Sequence, residues 1–124
     1  MPAPFIEHVN VTVSSPERMA LLLRDLFGWR VRWQGPARDN GRVIHVGDDS
    51  FYIAAYTPPG GIPAAFEKGA PLNHIGIVVD DLDAIERRVV ASGLIPFAHG
   101  DYEPGRRFYF LDQDGIEFEI ISYG

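Results

Sequence analysis

The sequence predicts an α+β chain made of one unit, βαβββ, written twice. Three observations carry this. Ile6–Val13 (IEHVNVTV) and Leu72–Val79 (LNHIGIVV) are two versions of one strand, brought into register by a shift of 74 − 8 = 66 residues. Each copy is followed by a helix signal and then three strand signals, in the same order. A Pro/Gly-rich stretch lies between the two sets. A period of this size marks two matching modules that bury their faces on one another. The chain therefore reads as a single domain over 1–124, with module one at about 5–57, a connector at 58–71 and module two at about 72–123.

Both opening strands alternate apolar and other residues with period two, the pattern of a half-buried strand. Val9, Val11 and Val13 share one face, as do Ile75, Ile77 and Val79. Ser15-Pro16 reads as an N-cap followed by proline at the first helical position. Met19, Leu22, Leu23 and Leu26 then form the buried stripe of an amphipathic helix, and Gly28 suits a left-handed C-terminal cap. Strands follow at Trp29–Gln34, Arg42–Val46 and Phe51–Thr57, with Asn40-Gly41 as a turn signal. The connector Thr57–Pro71 leaves room for a short helical turn around Ala64–Lys68. In the second module Asp81 is the expected N-cap, and Leu82, Ile85 and Val89 line a helix ending at Gly93. Leu94–His99, Arg106–Leu111 and Ile116–Ser122 are the last three strands.

Composition bounds the function. The apolar share is 46%, including eight Phe, five Tyr and two Trp, enough to build a core and to argue against disorder. The absence of cysteine excludes disulfides, thiolate metal sites and a cysteine nucleophile. A net charge of −6 argues against nucleic acid as a partner. Lys68 is the only lysine and sits in the connector, a poor place for Schiff-base or phosphate-loop chemistry. With no leader pattern and no apolar run long enough to span a bilayer, the expectation is a soluble cytoplasmic protein with no membrane partner.

The even shift of 66 preserves strand parity, so His8 and His74 both fall on the face opposite the valines and isoleucines. Matching Asp49-Ser50 with Asp114-Gly115 aligns the two closing strands with a shift of 65 and puts Glu119 opposite Ala54. Phe118 and Ile120 face the helix, so Glu119 faces the side that carries the histidines. Two imidazoles and a carboxylate suit one divalent metal ion, Zn, Ni, Mn or Fe(II), with coordination positions left open. Such an ion can hold a small substrate through two adjacent oxygens and stabilise the charge that develops on them.

The paired βαβββ units, opened by EHVNVTV and NHIGIVV and closed by FYFLDQDGIEFEI, resemble the vicinal oxygen chelate superfamily from Phe5 to Tyr123. This group includes glyoxalases, bleomycin-resistance proteins, extradiol dioxygenases, epimerases and fosfomycin-resistance enzymes. The resemblance implies sheets curving around a shared metal cleft, metal ligands at His8, His74 and Glu119, and a homodimer. It implies a metal-dependent enzyme, dioxygenase-like or lyase-like, or alternatively a metal-free protein that sequesters a small molecule as bleomycin-resistance proteins do. Glyoxalase-type members place a further Glu or Gln, which also serves as base, where this chain has Ala54. The three-ligand pattern looks instead like that of extradiol dioxygenases and fosfomycin-resistance enzymes, in which a tyrosine stands ten residues before the glutamate, as Tyr109 does here. His99 lies near where dioxygenases place a catalytic histidine.

Other side chains join as candidates by parity. Asn10 lies two residues from His8 on the same face, and Tyr52 and Tyr56 share the face of Ala54, so these three could contact substrate. Arg107 has the parity of Tyr109 and could meet an anionic substrate, although a lone strand arginine is more often solvated. His45, assigned to an outer strand, reads as surface. Asp112 and Asp114 read as turn residues.

Overall fold

The computed structural model describes residues 3–62, 69 and 71–123. Its elements run β1 (His8–Thr12), α1 (Pro16–Phe27), β2 (Arg30–Pro36), β3 (Arg42–Gly47) and β4 (Tyr52–Thr57). They continue with β5 (His74–Val78), α2 (Leu82–Ala91), β6 (Phe97–Tyr102), β7 (Gly105–Leu111) and β8 (Glu117–Ser122). The expected βαβββ order is thus observed twice. The helical turn expected around residues 64–68 lies outside the described residues. The chain divides into two compact units, residues 1–63 and 64–124.

In the first unit the sheet order is β1-β4-β3-β2, with β1 parallel to β4 and the remaining pairs antiparallel. Helix α1 starts where Ser15 accepts a hydrogen bond from the Arg18 N–H and ends where Gly28 takes the left-handed conformation, φ 73°. Its stripe of Met19, Leu23 and Leu26 packs over Val11, Val13, Ile44, Val46, Ile53 and Ala55, all buried. The opposite face of the sheet carries His8, Asn10 and Thr12 from β1, as period-two alternation requires.

The second unit repeats the plan with the order β5-β8-β7-β6. Asp81 caps α2 by accepting from the Ala84 N–H, and Leu82, Ile85 and Val89 turn inward. Phe108, Phe110, Phe118 and Ile120 are fully enclosed beneath it, with Phe110 stacked on Phe118 at 5.1 Å. Deleting a buried aromatic of this kind costs about 3–5 kcal/mol.

The repeat extends to a close backbone approach. A Cβ on Gly41 would lie 2.4 Å from the Thr57 carbonyl oxygen, and one on Gly105 would lie 2.2 Å from that of Ser122. These contacts join the start of the third strand to the end of the fourth in each unit, and only glycine permits them.

Two features depart from the sequence expectation. Strand β3 lies between β4 and β2, so His45 sits on an inner strand and is half-buried. Each outer hairpin also carries an irregularity. Val31 pairs with Val46 and Trp33 with His45, leaving Arg32 as an extra residue. Phe97 pairs with Tyr109 and Gly100 with Arg107, so Ala98 and His99 together oppose Phe108. Ala98 takes a left-handed backbone conformation there, φ 54°. These are β-bulges, and beyond one the strand's alternation changes phase.

Candidate metal and substrate-binding site

Strand parity in the second unit brings four candidates together. Parallel pairing of β5 with β8 sets Gly76 opposite Glu119, and antiparallel pairing of β7 sets Tyr109 opposite Glu119 on its other side. His74 Nε2 lies 3.1 Å from Glu119 Oε1. Arg107 Nη1 donates to Glu119 Oε2 at 2.8 Å. The Tyr109 ring stands edge-on to His74 with centroids 6.0 Å apart. Its hydroxyl interacts with both Glu119 and Arg107. Burial first, then the bond to the Glu119 carboxylate, raises the Tyr109 phenol above its ordinary pKa. It therefore remains protonated at neutral pH.

Arg107 is not the solvated strand arginine that its sequence context suggests. Its side chain is 9% exposed and that of Glu119 is 13% exposed. The guanidinium also donates from Nη2 to the Gly105 carbonyl at 3.1 Å and lies 4.3 Å over the Tyr102 ring. Desolvation is the largest influence on it and favours the neutral form, but Tyr102, Tyr109 and Glu119 together outweigh it and the pKa is raised. Its guanidinium is thus bonded to the candidate metal ligand.

The first unit holds the other histidine in a row of rings. His8 stacks on Tyr52 at 4.7 Å with an interplanar angle of 6°, Tyr52 stacks on His45 at 4.3 Å, and His45 meets Trp33 at 5.1 Å. The row crosses all four strands of the sheet. His45, which the sequence reading leaves on the surface, is one of its members, and burial together with the nearby His8 and Arg32 holds its pKa below the usual imidazole value. Arg32, also missed from sequence, places its guanidinium 4.9 Å from the Tyr52 ring centre. The signal for both was the pairing of β3 with β2, which parity along one strand does not reveal. Asn10 and Tyr56 line a separate open cavity with Thr12, Ala37, Arg38 and Asp39. There the Tyr56 hydroxyl donates to Asp39.

His99 is not brought to the Glu119 face. Its Nε2 bonds Glu86 of α2 at 2.7 Å, and its ring stacks on the buried Phe108. The bulge at Ala98–His99 is the reason: Phe97 takes the place beside Tyr109, at 6.1 Å, and His99 turns toward the helix.

The two histidines share one local arrangement. His8 Nδ1 donates to Glu7 Oε1 at 2.9 Å, and His74 Nδ1 donates to Asn73 Oδ1 at 2.7 Å. In each case the residue just before the histidine holds the Nδ1 proton, which leaves the Nε2 lone pair of the neutral ring as the ligand atom. For His74 that lone pair faces a carboxylate oxygen, and the contact is attractive only with a cation or proton between them. A gap of 3.1 Å also matches two adjacent ligand atoms each about 2.1 Å from one ion. His74 and Glu119 therefore fit a divalent metal. Among the described residues no group of three or more His, Cys, Asp or Glu side chains converges as a complete metal cluster. Among the same residues, no helix is long and apolar enough to cross a membrane.

Comparison with known proteins agrees with this architecture. A glyoxylase/bleomycin resistance protein/dioxygenase domain from Frankia sp. EAN1pec superposes with a TM-score of 0.85 at 21% identity, covering 98% of each chain. The fosfomycin resistance protein FosX from Mesorhizobium loti gives 0.75 at 24% identity, covering 99% of this chain and 94% of that one. A variant of FosX from Listeria monocytogenes, complexed with Mn(II) and 1S,2S-dihydroxypropylphosphonic acid, gives 0.77 at 17% identity, covering 99% and 94%. At these identities the likeness establishes the fold. No curated protein matches the chain. Residues 5–120 match the profile of the Glyoxalase/Bleomycin resistance protein/Dioxygenase superfamily, and the chain belongs to that superfamily.

Proposed function

We propose that this protein is a metal-dependent enzyme acting on a small substrate with two adjacent oxygens, by dioxygenase-like or lyase-like chemistry. We assign one divalent ion to His8, His74 and Glu119, with the two units acting as one domain. The observation that carries this reading is the 3.1 Å approach of His74 Nε2 to Glu119 Oε1, with the Nδ1 proton already committed to Asn73. The ion would supply Lewis-acid stabilisation of negative charge on the substrate oxygens.

The chain's own residues divide the remaining work. Tyr109, kept protonated, is the donor suited to an oxyanion forming beside His74. Phe97, partly exposed next to Tyr109, gives the site an apolar wall. Arg107 is committed to Glu119, so the cation suited to an anionic substrate group is Arg32 near His8 and Tyr52. Asn10 and Tyr52 remain candidate substrate contacts on the first sheet. The chemistry of fosfomycin resistance, known for the FosX relatives, is one form such a reaction could take.

A second reading rests on the same carboxylate. Arg107 already neutralises Glu119, which is compatible with a metal-free protein that binds and sequesters a small molecule against the ring row of the first unit. Metal titration of wild type and His74→Ala decides between them. The enzyme reading expects one Mn(II), Fe(II), Zn(II) or Ni(II) per site in wild type and a severe loss in the variant. Negligible binding in both proteins would remove it and leave sequestration.

A further inference from the structure

We infer that Arg107 is a positioning residue that makes Glu119 a one-oxygen ligand. The inference rests on the metal reading above and goes beyond it, because it concerns how the carboxylate is presented rather than whether it binds.

A carboxylate can bind a metal through one oxygen or through both. Here the choice is made before any ion arrives. Arg107 Nη1 holds Oε2 at 2.8 Å, while Oε1 alone is turned toward His74 Nε2. The arginine is itself held from three sides: by the Gly105 carbonyl, which accepts from Nη2 at 3.1 Å and from Nε at 3.3 Å, by the Tyr102 ring beneath the guanidinium, and by Glu119. At 9% exposure it has little room to swing away. Planar guanidinium geometry suits this bridging, since one fork reaches the turn and the other reaches the carboxylate.

Two consequences follow for the site. With Oε2 withheld, one coordination position that a two-oxygen carboxylate would fill stays open to water or substrate. The positive charge beside Glu119 also offsets the carboxylate, so the ligand set attracts a divalent ion less strongly than an unpaired glutamate would.

The test compares wild type, Arg107→Met and Arg107→Lys, each loaded with Mn(II). Metal-bound water is counted from Mn(II) EPR line broadening in ¹⁷O-enriched water. Without the guanidinium on Oε2, Glu119 in Arg107→Met should bind through both oxygens, lowering the count by about one water. Mn(II) should bind this variant more tightly, by roughly tenfold, the scale of changes just outside a ligand set. Arg107→Lys keeps a cationic donor for Oε2 and should retain the wild-type count. Mn(II) bound with the same water count in all three proteins overturns the role of Arg107 while leaving the metal reading intact. Equal loss of Mn(II) binding in both variants means the arginine serves only the fold, and overturns it too. If wild type itself binds no Mn(II), the metal reading falls and this inference falls with it.

Discussion

Ala54 and Glu119 occupy the same place in the two sheets. Ala54 is the cross-strand partner of Asn10, two residues after His8, and Glu119 is the partner of Gly76, two residues after His74. The register thus matches the pairing inferred from the repeat alone. It also puts a methyl group, 2% exposed, where the second unit has a carboxylate.

Proton transfer in glyoxalase chemistry needs a base beside the substrate. The place for one in the first unit is Ala54, and its neighbours on that face are Tyr52 and Tyr56, poor bases at neutral pH. We expect no substantial turnover of the hemithioacetal of methylglyoxal and glutathione by wild type loaded with Zn, Ni, Co or Mn. Gain of activity only in Ala54→Glu would support the alignment of the two units. Robust wild-type turnover would show that the base comes from another residue.

Breaking the Arg107–Glu119 pair should be costly. Arg107→Met leaves a carboxylate at 13% exposure without its guanidinium. A clear loss of stability is expected for removing one member of a buried ion pair. The double variant Arg107→Met/Glu119→Leu removes the stranded charge and should recover most of it. Urea unfolding of the metal-free proteins measures both values. A double variant as unstable as the single one would show that Arg107 acts mainly through its packing on Tyr102.

Acid should loosen the loop that leads into β3. The Tyr56 hydroxyl, first, and the Gly41 N–H hold the Asp39 carboxyl below its ordinary pKa. A carboxyl depressed in the folded state adds stability above its unfolded value of about 3.9, and that contribution is lost as pH falls through the folded value. Carboxyl-detected NMR titration should show Asp39 shifting upward in Tyr56→Phe. An unchanged titration would mean that Tyr56 is free to meet substrate, as the sequence suggests.

Assembly as a homodimer is expected. Trp33 and Val31 of β2 are 49% and 46% exposed, and Val78 of β5 is 62% exposed, leaving apolar surface on both sheets. Sedimentation at micromolar concentration should give about twice the chain mass of 13.8 kDa. A monomer at every concentration would exclude it.

Period-two alternation made much of this legible in sequence. A strand with one buried face fixes where every second side chain goes, so the placement of His8, Asn10, His74 and Glu119 on the faces opposite their helices could be read from residue spacing. Caps at Ser15, Gly28 and Asp81 were equally local and equally readable. What escaped were relations between strands. That Arg107 neutralises Glu119 depends on which strands are neighbours and in what register, and parity along β7 says only that both residues share a face. His45 lies inside because strand order, not strand sequence, makes β3 an inner strand. His99 turns away from Glu119 at a bulge, which leaves no mark in the hydrophobic pattern before it.

That bulge bears on how such a surface can be rewritten. Two residues of β6 span the place of one on β7, so the ladder on either side is satisfied whether or not the extra residue is there. Deleting Ala98 would give the hairpin regular pairing and leave His99 opposite Phe108. A single codon gained or lost at this point is therefore absorbed by the bulge, and the residues on either side keep their faces. An outer hairpin built this way can vary in length without disturbing the side chains around Glu119.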